Sequence, residues 1–440
     1  MSKLTKFLRD QPNIAIDVDY FDDSARDDLS KYVSAPQIAD VVGNTLIIPS
    51  GEILTYFLFH QRRVNVPELA NFKALSRRIE SAVAMLDRFI EPNGTSLCVP
   101  SDVGSVGNYI TENLGEAVGL AVVNRIHKLI HADWNRIPQS HGRKAISTFD
   151  YEYPYGASDG EYIIQIETKG TFVKDCKKHC RNTRAHRKSI ELKKQKISDK
   201  GEFYKYPADI RYGTILGIDC AREKSMHCWL VDPEGDDMVP DAQKFRLLNR
   251  MKFIKNCITN LSQQSILATV LQNRIAVLEN LQNPFELDGV PLFDSRGEPF
   301  SALQWDTGTG GLFSNRSWVT DGATRGVVFP SINGLIFRGV QQYVINLAIQ
   351  QDFSKIITYE MNSGTVEKEV ECVIPRKRFD KEFSIAIESG VPSAVEYAPP
   401  EGFAPGTSDK DKYVRFRLHG LLYYAPSGTV VGELPISGAN

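Results

Sequence analysis

The segment "EYIIQIETKG", residues Glu161–Gly170, is the most informative part of the sequence about the fold. Its isoleucines are typical of a buried strand, and it ends in a carboxylate and an ammonium group two residues apart. Because residues i and i+2 of a strand point to the same face, Glu167 and Lys169 should leave the sheet side by side. The common interpretation of Glu-x-Lys is an ion pair at a strand end. The neighbouring segments decide whether this pair does more.

The segments around this strand predict the order helix, strand, strand, helix, strand. A helix is predicted over residues 109–130, where apolar residues recur every three or four positions. The strand "KAISTFDYEY", residues 144–153, follows, and the turn "YGASDG" joins it to "EYIIQIETKG". A polar helix is predicted over residues 174–196, and the strand "DIRYGTILGID", residues 209–219, comes next.

Acidic residues stand at particular places in this order. Hairpin pairing of the two strands should bring Asp150 beside Glu167 and Lys169, and Glu116 on the preceding helix adds a third acid, with Glu112 as the weaker alternative. Mg²⁺ prefers oxygen ligands, typically one or two carboxylates with water and phosphate. A lysine beside such an ion can orient water or stabilise a developing oxyanion. The pattern indicates metal-assisted phosphodiester cleavage.

Asp150, followed seventeen residues later by Glu167-Thr168-Lys169, resembles the PD-(D/E)xK restriction-endonuclease-like superfamily. The resemblance covers roughly residues 109–220, with Phe149 where the family name has proline. It implies an αβββαβ core in which Asp150 and Glu167 hold Mg²⁺ or Mn²⁺. By the same resemblance, Lys169 activates water and Glu116 assists.

The predicted helix over residues 174–196 is strongly basic. It contains ten Lys or Arg residues against two acids, in a chain whose net charge is −2. A charge run is usually a solvated helix face, but this one follows the candidate site directly, where Lys and Arg suit phosphate contact. The predicted nucleic-acid-binding residues are Lys174, Lys177, Lys178, Arg181, Arg184, Arg187 and Lys188.

The same basic stretch contains Cys176, His179, Cys180 and His186. These residue types can bind zinc, but no second cysteine pair stands at the spacing of a zinc ribbon or finger. Packing cysteines and phosphate-facing histidines are the favoured interpretation.

The whole chain of 440 residues predicts a mixed α/β (α+β) protein with three parts. These are an N-terminal mixed or helical region (1–100), a nuclease-like domain with a long helical extension (101–285) and a β-rich C-terminal domain (286–440). The sequence shows no export signal and no apolar run long enough for a membrane span. A cytoplasmic location without a membrane partner is expected, with free thiols for the seven scattered cysteines.

The expected function is a Mg²⁺-dependent endonuclease, with DNA favoured over RNA by the resemblance alone. A role as a restriction or anti-phage defence effector is an analogy with such cores. Two alternatives stay open. The first alternative is a nucleic-acid-binding protein of the same fold without activity. The second alternative is a structural subunit in which Glu167 and Lys169 form an ordinary ion pair. A homo-oligomer and a partner protein are also left open.

Overall fold

The computed structural model describes residues 3–23, 26–59, 72–99, 108–141, 144–157, 160–173, 177–201, 207–219, 226–235, 241–261, 265–293, 297–300, 318–331, 334–376, 379–380, 395–397 and 413–435. The chain divides into two compact units. The first unit comprises residues 10–65 and 82–246, and the second unit comprises residues 1–9, 66–81 and 247–440.

The described helices are numbered in chain order. They are α1 Lys3–Arg9, α2 Arg26–Ser30, α3 Ala35–Ala39, α4 Ser50–Phe59, α5 Phe72–Phe89, α6 Asn108–His127, α7 Arg181–Lys200, α8 Ala242–Leu261, α9 Ile266–Asn280, α10 Gln342–Gln350 and α11 Phe353–Thr358. Short 3₁₀ helices occupy His131–Asp133 and Pro284–Leu287.

The described strands are numbered in the same way. Those of the first unit are β1 Asn13–Tyr20, β2 Asn44–Pro49, β3 Glu91–Asn93, β4 Ser96–Cys98, β5 Asn135–Arg136, β6 Ser140–His141, β7 Lys144–Ala145, β8 Tyr151–Ala157, β9 Gly160–Val173, β10 Ile210–Asp219 and β11 Met226–Gly235. Those of the second unit are β12 Trp318–Thr320, β13 Thr324–Ser331, β14 Gly334–Gln341, β15 Gly364–Pro375, β16 Val395–Tyr397, β17 Tyr413–Tyr424 and β18 Thr429–Pro435.

The first unit is built on a seven-stranded mixed sheet in the order β2-β1-β11-β10-β9-β8-β5. Strand β9 pairs in parallel with β10 and antiparallel with β8, and β1 pairs in parallel with β11. The predicted order of helix, strands, helix and strand is present as α6, β5, β8, β9, α7 and β10. Strands β1 and β2, from the first fifty residues, belong to this same sheet.

Helices cover both faces of the sheet around β9 and β10. Every residue of β10 is buried, as expected of a central strand covered on both faces. On one face, α6 approaches β9 so closely that a Cβ at Gly115 would lie 2.6 Å from the backbone nitrogen of Gly170. On the other face, α7 packs through Ile190, whose side chain fills the space that Gly213 of β10 leaves free.

Gly115→Ala should destabilise the first unit by about 2 kcal/mol. Alanine would stabilise the helix by about 1 kcal/mol through its higher helix propensity. Overpacking against a backbone atom, which cannot rotate away, would cost about 3 kcal/mol. Denaturant unfolding measures the difference. Gly364→Ala is the control, because a Cβ there would meet nothing within 4 Å. An unchanged or higher unfolding midpoint for Gly115→Ala would show that α6 does not depend on this close approach.

The sheet of the second unit closes into a six-stranded antiparallel barrel. The ring runs β12-β13-β14-β18-β17-β15, and a pairing of β15 with β12 closes it, while β16 pairs outside the ring with β17. Closure leaves the ring without a free edge. Its apolar core includes Phe337, Cys372, Phe416 and Leu422. This barrel lies within the part of the chain expected to be β-rich.

The structure confirms a mixed protein of helices and sheets. In the described part of the chain, no helix combines the length and the apolar character that a membrane crossing requires.

Candidate active site on strand β9

Asp150 stands directly beside the Glu-x-Lys segment. Tyr151 of β8 pairs with Ile166 of β9, so the same register extended by one residue places Asp150 opposite Glu167. The Asp150 backbone N–H donates to the Ile166 carbonyl at 3.0 Å, and the Thr168 N–H donates to Asp150 Oδ2 at 3.2 Å. Directly opposed residues of an antiparallel pair share one face of the sheet. The hairpin therefore brings the two predicted acids together.

Two lysines close over the Glu167 carboxylate. Lys169 Nζ donates to Glu167 Oε1 at 2.6 Å, and Lys193 Nζ, from α7, donates to Oε2 at 2.6 Å. The Glu167 side chain is only 2% exposed, whereas those of Lys169 and Lys193 are 27% and 24% exposed. A buried carboxylate thus contacts two lysines whose side chains are partly exposed.

Burial and neighbouring charges shift the pKa values of two groups in the site. Burial raises the pKa of the Glu167 carboxyl, and the neighbouring Asp150 raises it further, against the opposing effect of the two lysines. Burial acts to lower the pKa of Lys169, but the Glu167 and Asp150 carboxylates outweigh it, so this pKa is raised. The raised pKa of Glu167 thus reflects mainly its burial, and the raised pKa of Lys169 reflects the two carboxylates beside it.

A second polar row lies beneath the site on the same sheet face. Gln165 is two residues before Glu167, and Arg211 Nε donates to its Oε1 at 3.1 Å. Glu152 is two residues after Asp150 and accepts from Asn135 Nδ2 at 3.2 Å. Gln165, Glu152 and Arg211 are buried. We did not predict this row, although polar residues at every second position of "DYE" and "QIETK" are its signal.

Glu116 lies on the opposite face of the sheet from Glu167, because α6 packs against Thr168 and Gly170. Its Oε1 accepts from Arg136 Nη1 at 3.4 Å, and the same Nη1 donates to the Tyr151 hydroxyl at 2.6 Å. Glu112, the weaker candidate on α6, is close enough to Lys169 for its charge to contribute to the raised pKa of that residue.

The basic residues of α7 divide between internal contacts and the surface. Arg187 forms ion pairs with Asp22 at 3.1 Å and with Glu191 at 2.7 Å, and it also lies over the Phe21 ring. Lys178 lies over the same ring. Part of the predicted nucleic-acid surface is therefore used within the protein.

The remaining predicted residues are placed differently. Arg184 Nε donates to the His179 carbonyl at 2.7 Å, and the residue is otherwise exposed. Lys177, Arg181 and Lys188 are exposed, whereas Lys174 lies outside the described residues. These exposed side chains remain the candidates for phosphate contact.

A zinc site in the basic stretch gains no support from the described residues. Cys180 is the N-cap of α7 and accepts from the Thr183 N–H, and Cys176 lies outside the described residues. Burial and the positive charge of Lys169 lower the pKa of His186. Across the described ranges, no group of three or more His, Cys, Asp or Glu residues could hold a metal ion.

The fit of a divalent cation therefore depends on two carboxylates. Mg²⁺ in phosphoryl-transfer sites typically takes one or two carboxylates and fills its other positions with water and phosphate. The donor set of Asp150 and Glu167 meets that requirement. Gln139 Nε2 donates to Asp150 Oδ1 over a long 3.4 Å. Each Glu167 oxygen already accepts from a lysine, but a carboxylate oxygen retains a second lone pair.

Comparison with protein-family models, with curated proteins and with solved structures returned no match.

Proposed function

We propose that the chain is a metal-dependent nuclease that cleaves phosphodiesters in nucleic acid, with Mg²⁺ or Mn²⁺ as its cofactor. The observation that carries the proposal is the buried pair of Asp150, which directly precedes β8, and Glu167 of β9, whose carboxylate accepts a hydrogen bond from Lys169. The element order α6, β5, β8, β9, α7, β10 supports a restriction-endonuclease-like core. DNA is the preferred substrate by resemblance, and the proposed location is the cytoplasm.

The protein groups have distinct roles in this proposal. Asp150 and Glu167 would hold the cation through their carboxylate oxygens. A bound Mg²⁺ supplies a water of lowered pKa and neutralises charge on the phosphate. Lys169, kept protonated by the carboxylates around it, orients the attacking water or donates to the oxyanion that develops.

Cleavage is tested by incubating a supercoiled plasmid with the full chain and Mg²⁺ or Mn²⁺. Conversion to nicked or linear DNA that stops on addition of a chelator supports the proposal. An intact plasmid, together with intact single-stranded DNA and RNA, would contradict it. A role in restriction or anti-phage defence is an analogy and would need a separate test of phage growth.

A nucleic-acid-binding protein without activity is the second candidate. The observation that favours it is the state of Glu167, both of whose oxygens accept from lysines. Binding without nicking would select this candidate. Failure to bind any nucleic acid at low salt would instead favour a structural ion-pair cluster.

The basic residues around the start of α7 should supply affinity without sequence specificity. Replacing Lys177, Arg181, Arg184 and Lys188, the exposed candidates, with Ala should weaken binding of all sequences alike. Each lost phosphate contact on duplex DNA should reduce the slope of log K against log salt by about 0.9. Fluorescence anisotropy over a series of salt concentrations measures both quantities.

The matched control removes four exposed cations elsewhere, namely Arg9, Lys31, Lys355 and Arg417. It lowers the net charge equally, so a general charge effect would appear in both variants. The same affinity and salt slope in the two variants would show that the α7 residues make no specific phosphate contact.

A further inference from the structure

Lys193 is held over the candidate site by the packing of its helix. Ile190, three residues earlier on α7, fills the space above Gly213, and Gly213 is the β10 partner of Glu167. Ile190 and Ile197 are both buried on the sheet side of α7. This fixed helix position directs Lys193 Nζ to Glu167 Oε2 at 2.6 Å.

The neighbouring Lys194 provides a comparison, because its ammonium group contacts another part of the protein and its side chain is less exposed. Its side chain is 12% exposed, and its ammonium group donates to the carbonyl and to the carboxylate of Asp232. The Lys193 side chain is 24% exposed although its ammonium group binds a buried carboxylate. Lys193 therefore combines a contact inside the site with access to solvent.

The formal charges of the site indicate how the Lys193 ammonium group would respond to a bound cation. The carboxylates of Asp150 and Glu167 balance the ammonium groups of Lys169 and Lys193. A divalent cation held by the carboxylates would leave the four groups and the ion with an excess of two positive charges. The bound cation would also weaken the electrostatic attraction between the Glu167 carboxylate and the two lysine ammonium groups. An excess of positive charge at a solvent-accessible position favours a bound phosphate.

We propose that Lys193 is a phosphate-contacting residue of the site. When a cation occupies the carboxylate pair, the Lys193 ammonium group moves from Glu167 Oε2 to a non-bridging oxygen of the substrate phosphodiester. Lys169 stays beside the attacking water. This inference rests on the proposed function, because it requires a cation and a phosphate at the same site.

The test measures binding separately from cleavage. Ca²⁺ replaces Mg²⁺, and fluorescence anisotropy gives the affinity of the full chain for a short duplex oligonucleotide. Lys193→Met should weaken Ca²⁺-dependent binding by at least about tenfold, the typical cost of losing a charged hydrogen bond. Lys193→Arg, which keeps the charge, should recover most of the affinity.

Lys194→Met is the matched control, because it removes the same charge and a partly buried ion pair from the adjacent position of α7. Its affinity should fall by less than about threefold. Thermal unfolding checks that each variant is folded, and Lys193→Gln takes the place of Lys193→Met if the methionine variant unfolds.

The outcomes separate the two proposals. In one outcome, the wild type binds in Ca²⁺, Lys193→Met does not bind, and the wild type does not nick the plasmid in Mg²⁺ or Mn²⁺. This outcome would refute the nuclease and retain the phosphate contact. Nicking by the wild type with equal Ca²⁺-dependent affinities for Lys193→Met and Lys194→Met would refute the phosphate contact alone. Absence of Ca²⁺-dependent binding by the wild type would also overturn the role of Lys193.

Discussion

Asp150→Asn and Glu167→Gln are each expected to reduce plasmid cleavage by at least about a thousandfold, because each removes one charged ligand of the proposed cation. Both substitutions keep the size of the side chain. The amide oxygen of the first variant would still accept from the Thr168 N–H, and that of the second would still accept from one lysine, so the fold should persist. Nicking rates, together with calorimetric titration of Mn²⁺, measure the loss of activity and the loss of the cation.

Glu116→Gln is the comparison for these two variants. Glu116 contacts Arg136 on the opposite face of the sheet, so its replacement should lower the rate by less than about tenfold. If Glu116→Gln were as damaging as Glu167→Gln, the placement of Glu116 outside the site would be wrong. Full activity of either Asp150→Asn or Glu167→Gln would contradict the site directly.

Lys169→Met should lower the single-turnover cleavage rate by about a hundredfold to ten-thousandfold, the range for a group that assists proton transfer. The affinities for Mn²⁺ and for the oligonucleotide should change little, because the proposed interaction of Lys169 is made in the transition state. Rapid quenching with enzyme in excess gives the rate of the chemical step, and anisotropy gives the affinity.

An ordinary ion pair predicts the opposite result for Lys169→Met. An ion pair with only a structural role contributes to stability, so its loss should leave any activity intact in a variant that remains folded. Wild-type cleavage by Lys169→Met would therefore remove Lys169 from the mechanism. Loss of Mn²⁺ affinity in the same variant would assign Lys169 to organising Glu167 instead.

The positions of Asp150, Glu167 and Lys169 relative to one another could be predicted from the sequence. The alternation of "EYIIQIETKG" places Glu167 and Lys169 on one face, and a short turn is enough to bring Asp150 alongside. The registers that the structure shows for β8 and β9 follow from that turn and from the buried isoleucines. These are interactions between residues close together in the chain.

Lys193 could not be identified in the same way, because α7 contains several lysines. The sequence alone does not determine the rotation of α7 about its axis, and therefore does not show which lysine faces the sheet. That rotation depends on Ile190 meeting Gly213 of β10, a contact with a strand that follows α7. The same limit explains Glu116. Helical periodicity placed it on α6, but only the close approach of Gly115 to Gly170 decides which sheet face α6 covers.

The parallel pairing of β1 with β11 has a consequence for how the protein is made. The pairing joins Ile16 to Met226, about 210 residues apart in the chain. At the usual rate of about 5–20 residues per second, the ribosome needs at least about ten seconds to deliver β11 after β1 has been synthesised. Throughout that interval, β1 and β2 can form a hairpin but have no sheet to join. A long loop must then close before the pairing contributes, which slows folding. The sheet that carries Glu167 is thus completed only after β11 has been synthesised.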